Sequence, residues 1–120
     1  MKAFPSRFRD GVRLFNAGRY FEAHEAFEES LDELEADPRW EFTVALVQVA
    51  VGYHKWTSGH PGAARMLGLG AEKLAAFPPD AWGVDVDALR RRLATDLAAA
   101  GQGVPCAVPP RIGAVSARVP

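Results

Sequence analysis

Apolar residues recur at helical spacing over five stretches of the chain. Phe8, Val12 and Phe15 share one side of a segment from about Arg7 to Ala17, with Ser6 placed as an N-cap and Gly18 as its terminator. Tyr20, Ala23, Phe27, Leu31 and Leu34 form a stripe at steps of three and four, which predicts a second helix over about 20–35, closed by Ala-Asp-Pro at 36–38. The third stretch, Trp40 to Trp56, reads WEFTVALVQVAVGYHKW and is apolar nearly all round. Seventeen residues is long for a strand, and a helix without a polar face belongs at the centre of a bundle. A fourth helix is predicted from about Gly62 to Phe77, where Pro78 and Pro79 stop it. The fifth runs from near Asp85 to Ala100, with Val86, Leu89, Leu93 and Leu97 facing inward and Arg90, Arg91 and Arg92 facing water. From Gly101 the pattern ends: GQGVPCAVPPRIGAVSARVP has four prolines, three glycines and two charges, which excludes a regular helix. This tail is expected to lie extended on the bundle or on a neighbouring subunit.

The punctuation of the first helix pair returns at an offset of 41 residues. Gly11 falls on Gly52, Gly18 on Gly59, Ala23 on Ala64 and Pro38 on Pro79. A fixed period of this size is the signature of stacked helical hairpins. The glycines inside the first helices let a partner approach closely, and those that end them permit a left-handed turn. The pattern G-x6-G-x-Y-x2-A-x3-F over residues 11–27 resembles a tetratricopeptide repeat. Two units are fewer than a solenoid needs, so the expected fold is all-α: a compact bundle of four to five helices over 1–100, built from two repeat-like hairpins, with the tail over 101–120.

Composition narrows the function classes. A length of 120 residues is one domain, and 48% hydrophobic with 24% charged residues is ordinary for a globular protein. A net charge of −1 argues against nucleic acid or an anionic membrane as partner. The charge is uneven, because residues 20–37 carry Glu22, Glu25, Glu28, Glu29, Asp32, Glu33, Glu35 and Asp37 with no Lys or Arg. The single Cys106 excludes an intrachain disulfide and has no histidine nearby in sequence to activate it. The first residues, MKAFPSRFRDG, lack the apolar run of a signal peptide, and the longest mainly apolar run, Phe42 to Tyr53, is too short to span a bilayer. A cytoplasmic location is expected.

Two blocks, FNAGRYFEAHEAFEESL and then ALVQVAVGYHKWTSGHPGAARML, resemble the small bacterial and archaeal all-helical family known as domain of unknown function 309. The family carries an H-x-x-x-E-x-x-[W/Y] motif, suggested to bind metal, and a later histidine. The resemblance covers about residues 12–75. His24 and Glu28 match the motif and His54 matches the later histidine, while Leu31 stands where the family has Trp or Tyr and His60 where it usually has Asn. The resemblance implies a compact helical fold and no established activity.

Residues four apart share a helix face, so His24 and Glu28 can bond to each other or share a ligand at the rim of the apolar stripe. Two readings follow. In the first, Glu28 satisfies His24 and the pair fastens helix two to helix three. In the second, His24, Glu28 and His54 hold a divalent metal ion such as zinc, with a water position open for hydrolytic chemistry. The segment is not H-E-x-x-H, and neither histidine has the acid three residues before it that di-iron bundles use. Turn chemistry accounts for SGHPGAAR, which offers a weaker anion site with Arg65, and Trp40, Trp56 and Trp82 read as helix-end packing. The expected function is therefore a non-enzymatic interaction or structural module that binds a protein partner or a second copy of itself through contacts that include the tail. The alternative is the metal-binding protein.

Overall fold

The computed structural model describes residues 3–115; the last five residues of the predicted tail lie outside the described residues. Among the described residues five α-helices follow one another: α1 Ser6–Asn16, α2 Tyr20–Ser30, α3 Arg39–Thr57, α4 Ala63–Leu74 and α5 Val86–Gly101. The only strand-like pairing among them is one isolated antiparallel bridge, Val84 with Ala114. Each helix packs chiefly on the one before and the one after it. The stack closes into a compact body with a radius of gyration of 13.7 Å, near the roughly 14 Å expected for a chain of this length.

The helix ends explain the repeat. At the end of α1, the Arg19 N–H donates to the Leu14 carbonyl (2.9 Å) and the Gly18 N–H to the Phe15 carbonyl (2.9 Å), with Gly18 at φ +79°. This is the Schellman arrangement, which satisfies carbonyls left over at a helix end. It returns at the end of α3, where His60 donates to Lys55 and Gly59 to Trp56, and again at the end of α5, where Val104 donates to Ala99 and Gly103 to Ala100. The third copy was not legible as part of the period. Thus α1, α3 and α5 all end alike, but an extended segment rather than a further helix follows α5.

Close helix approach is the second device. A Cβ on Gly11 would stand 2.6 Å from the Phe27 ring of α2, and one on Gly52 would stand 2.7 Å from Leu67 Cδ2 and 3.0 Å from its backbone nitrogen in α4. The large side chain of the second helix occupies the missing side chain of the first, in both hairpins. Around these contacts lies an aromatic core: Phe8 meets Phe27 and Phe42, while Phe15, Tyr20 and Tyr53 meet with ring centroids 5.2–5.7 Å apart. The buried core residues of α3, among them Phe42, Ala45, Leu46, Val49 and Tyr53, line one half of the helix, while Val44, Val47, Gln48 and Val51 on the other half are only partly covered, which corrects the expectation of a helix buried all round. The Trp56 ring packs on Tyr53, and Trp82 lies against Phe42 and Phe77.

Three local expectations are corrected. The second helix stops at Ser30, and Leu31–Leu34 tighten into a 3-10 turn. The Ser30 hydroxyl donates to the Phe27 carbonyl at 2.7 Å, a local bond that competes with the regular ladder, and the tighter turn still buries Leu34. Ser6 is the first helical residue rather than the cap, because the Pro5 carbonyl takes the first bonds of α1 from Phe8 and Arg9. Asp37, read only as part of a helix terminator, also opens α3 by accepting from the Arg39 N–H at 2.8 Å.

The glycine contacts yield a paired prediction. Gly52→Ala is expected to lose about 1–2 kcal/mol by urea denaturation, because overpacking against Leu67 exceeds the gain in helix propensity. Gly68→Ala, at a position in α4 where an added Cβ meets nothing within 4 Å, is expected to gain up to about 1 kcal/mol.

Candidate functional site

The α2–α3 face brings two of the three expected residues together around a fourth. Phe21 falls off the Tyr20–Ala23–Phe27 stripe of α2 and remains 47% exposed. Its ring lies 5.0 Å from the ring of His24 and 5.4 Å from that of His54, so both imidazoles pack on one exposed phenyl group. The His24 Nδ1–H donates to the Phe21 carbonyl at 2.6 Å, since a carbonyl can only accept. That bond leaves Nε2 directed to Glu28, whose Oε1 lies 3.4 Å away.

Glu28 is 56% exposed, which makes this contact a surface pair of small energetic weight rather than the fastening expected of it. His54 approaches the same face from the C-terminal part of α3 and lies near Glu22. The Arg19 guanidinium, 2.7 Å from Glu22, holds that carboxyl below its ordinary value, with a smaller contribution from His54. Among the described residues no three His, Cys, Asp or Glu side chains converge as a metal cage requires. Of the three residues expected to share an ion, His24 and Glu28 approach each other, and His24 and His54 both pack on the Phe21 ring.

The turn before α4 is less open to an anion than its composition implies. The His60 ring Nδ1 accepts from the Gly62 N–H at 3.0 Å, which uses one of the amides that an anion would need.

A second polar cluster went unread in the sequence. The Tyr53 hydroxyl donates to Asp96 Oδ2 at 2.5 Å, and Arg92 Nε donates to the same oxygen at 2.7 Å. Asp96 is 5% exposed. Arg92, expected in water, instead turns inward and also donates to the Val108 and Pro109 carbonyls of the tail. The available signal was position: Asp96 lies three residues after Leu93 and seven after Leu89, on the buried line of α5. Cys106 lies beside this cluster, and burial, followed by the charge of Asp96, pushes its thiol up. A thiol so held stays protonated and is a poor nucleophile.

A stack of five helices in chain order, with an exposed aromatic–histidine face on one hairpin and a buried Tyr–Asp–Arg chain under an extended tail, defines a class of small all-helical protein. Within it, residues 8–67 match the family model described as Domain of unknown function (DUF309), and the chain belongs to that family. The match spans His24, Glu28 and His54 but ends before Arg92, Asp96 and the tail. Comparison with curated proteins and with solved structures gives no match. No helix of the described residues is long and apolar enough to cross a membrane.

Two predictions follow from the buried cluster. Asp96→Ala is expected to cost about 2–4 kcal/mol in urea denaturation, because it leaves the Tyr53 hydroxyl and the Arg92 guanidinium without their shared acceptor. Both tyrosines of the chain are raised above the ordinary value of 10.0, in each case by burial first. The unfolded chain therefore releases these protons at lower pH than the folded one, and stability falls as pH rises through about 10. In an alkaline titration, the tyrosinate absorption band is expected to appear together with loss of helical circular dichroism and not before it.

Proposed function

We propose that this protein is a non-enzymatic interaction module of the cytoplasm, and that the α2–α3 face docks a basic partner with an apolar anchor. The observation that carries this reading is Phe21, a large apolar side chain 47% exposed and packed against His24 and His54 on the acidic side of the molecule. Glu25 and Glu28 lie on the same helix, beside Glu22 and Glu29, which pair with Arg19 and Arg7, and the remaining acidic field would draw in lysine or arginine before the ring is covered. Exposed aromatics that gain burial are the usual centres of binding energy, with charge at the rim governing the rate of encounter.

The probe is a short lysine-rich peptide with a central tryptophan, followed by fluorescence anisotropy at low salt. Binding is expected to weaken about tenfold on Phe21→Ser and to fall with added salt, as exposed charges are screened. Glu28→Ala is expected to weaken binding while changing stability by less than about 0.5 kcal/mol. Equal affinity for wild type and Phe21→Ser, at matched melting temperature, would count against the docking face.

The rival reading is a divalent ion held by His24, Glu28 and His54. Its support is the approach of His24 Nε2 to Glu28 Oε1 at 3.4 Å, an imidazole nitrogen and a carboxylate oxygen that one ion could take as ligands together. Elemental analysis of untagged protein separates the two: stoichiometric zinc, manganese or iron lost on His24→Ala favours the ion, and its absence at wild-type stability removes that support.

A further inference from the structure

After α5 the chain turns back over the ends of α1 and α3 and along the middle of α5. The Trp56 indole N–H, on α3, donates to the Val104 carbonyl at 2.8 Å. Arg92, on α5, donates to the Val108 and Pro109 carbonyls. Asn16, the last residue of α1, grips Ile112 with both ends of its amide: Nδ2 donates to the Ile112 carbonyl at 3.0 Å, and Oδ1 accepts from the Ile112 N–H at 2.7 Å. Beyond it, Asp85 donates to the Gly113 carbonyl and Val115 to the Gly83 carbonyl.

Every one of these bonds reads main-chain atoms. Few side chains of the segment are read: Pro110 and Ile112 are buried and Cys106 is half-buried beside Asp96, while Val104 and Val108 stay 48% and 63% exposed. Main-chain bonds from fixed side chains, plus one or two apolar sockets, are how folded domains hold extended peptides. Prolines on either side of the Arg92 contact favour the extended conformation before binding, which lowers the ordering cost. The bundle supplies three gripping side chains from three different helices, whereas the segment supplies little beyond its backbone, two prolines and one isoleucine.

We propose that this track is a peptide-binding groove for an extended segment of another protein that carries the spacing Pro-Pro-x-Ile, and that residues 104–113 are its resident occupant. The tether through Gly101, Gln102 and Gly103 keeps the resident at high effective concentration, so an incoming segment binds only when the resident leaves. The groove lies on α1, α3 and α5, apart from Phe21 on α2, and does not depend on the acidic docking face. Its polar grip is also incomplete in the family match, which stops at residue 67 and leaves out Arg92 and the resident segment.

The test uses the full chain with Ile112→Asp, which expels the resident by placing a charge in its socket. The probe is a fluorescent peptide of residues 104–115 with Cys106→Ser. Ile112→Asp protein is expected to bind it at least about tenfold more tightly than wild type, a gain that equals the removal of a tethered competitor. Adding Asn16→Ala is expected to reverse that gain, and a probe that itself carries Ile112→Asp is expected not to bind. No difference between wild type and the Ile112→Asp protein, at wild-type helical circular dichroism, would overturn the proposal. If that variant unfolds, hydrogen exchange on wild type decides: the Ile112 and Val115 amides are expected to exchange faster than those of α3 and to speed up with excess probe. Exchange as slow as in α3, unmoved by the probe, would overturn it. So would a wild-type dimer seen by light scattering and lost on Asn16→Ala, because the resident would then be exchanged between two copies.

Discussion

A helix with a wide apolar face has to be covered across that width, and α3 imposes this on the rest of the chain. Phe42, Leu46, Val49 and Tyr53 line one face of α3 and are fully buried, while Val44, Val47 and Val51 on the opposite side are partly covered. Helices α2 and α4 flank it, the aromatic side chains of α1 reach it across α2, and α5 with the returning tail covers its C-terminal half. Glycines at Gly11, Gly52 and Gly70 permit the approach, because helix axes set apart by a full side chain at each contact would leave gaps that nothing fills.

The same constraint forces polar groups inward at one point. Tyr53 is among the largest buried side chains, and its hydroxyl cannot be left without an acceptor. Asp96 supplies one from α5, and its own buried charge is balanced by Arg92 on the next turn. Arg92 has donors to spare, and these reach the tail carbonyls. A single buried phenol thus organises a chain of bonds from the C-terminal half of α3 to the outside of the molecule, and the tail is the last link.

Two surfaces of different physics result. On α2, the exposed Phe21 and the acidic residues around it form a surface whose reach is electrostatic and whose grip is apolar. At the ends of α1 and α3 and along α5, Asn16, Trp56 and Arg92 hold main-chain atoms of the tail, and Ile112 fills an aliphatic socket. The thiol of Cys106 is held protonated, and His24 is committed at Nδ1 to a backbone carbonyl.

How much of this was legible in the chain follows from range. Helical period, the terminating glycines and the prolines act within one or two turns, so five helices and the repeat of two hairpins were readable from residues alone, and so was the apolar character of α3. The family resemblance rested on the same local blocks and agrees with the match over residues 8–67. The candidate pair His24–Glu28 was readable because it is four residues apart on one helix. What Phe21 does was not, since its exposure depends on where α3 brings His54. Asp96 and Arg92 read as surface charges on α5, because nothing within α5 reveals that Tyr53, 43 residues earlier, needs an acceptor. The course of the tail is decided by Asn16, 96 residues before its partner Ile112. Local bonding rules write the helices into the sequence; which polar group meets which is settled only when distant turns arrive at the same place.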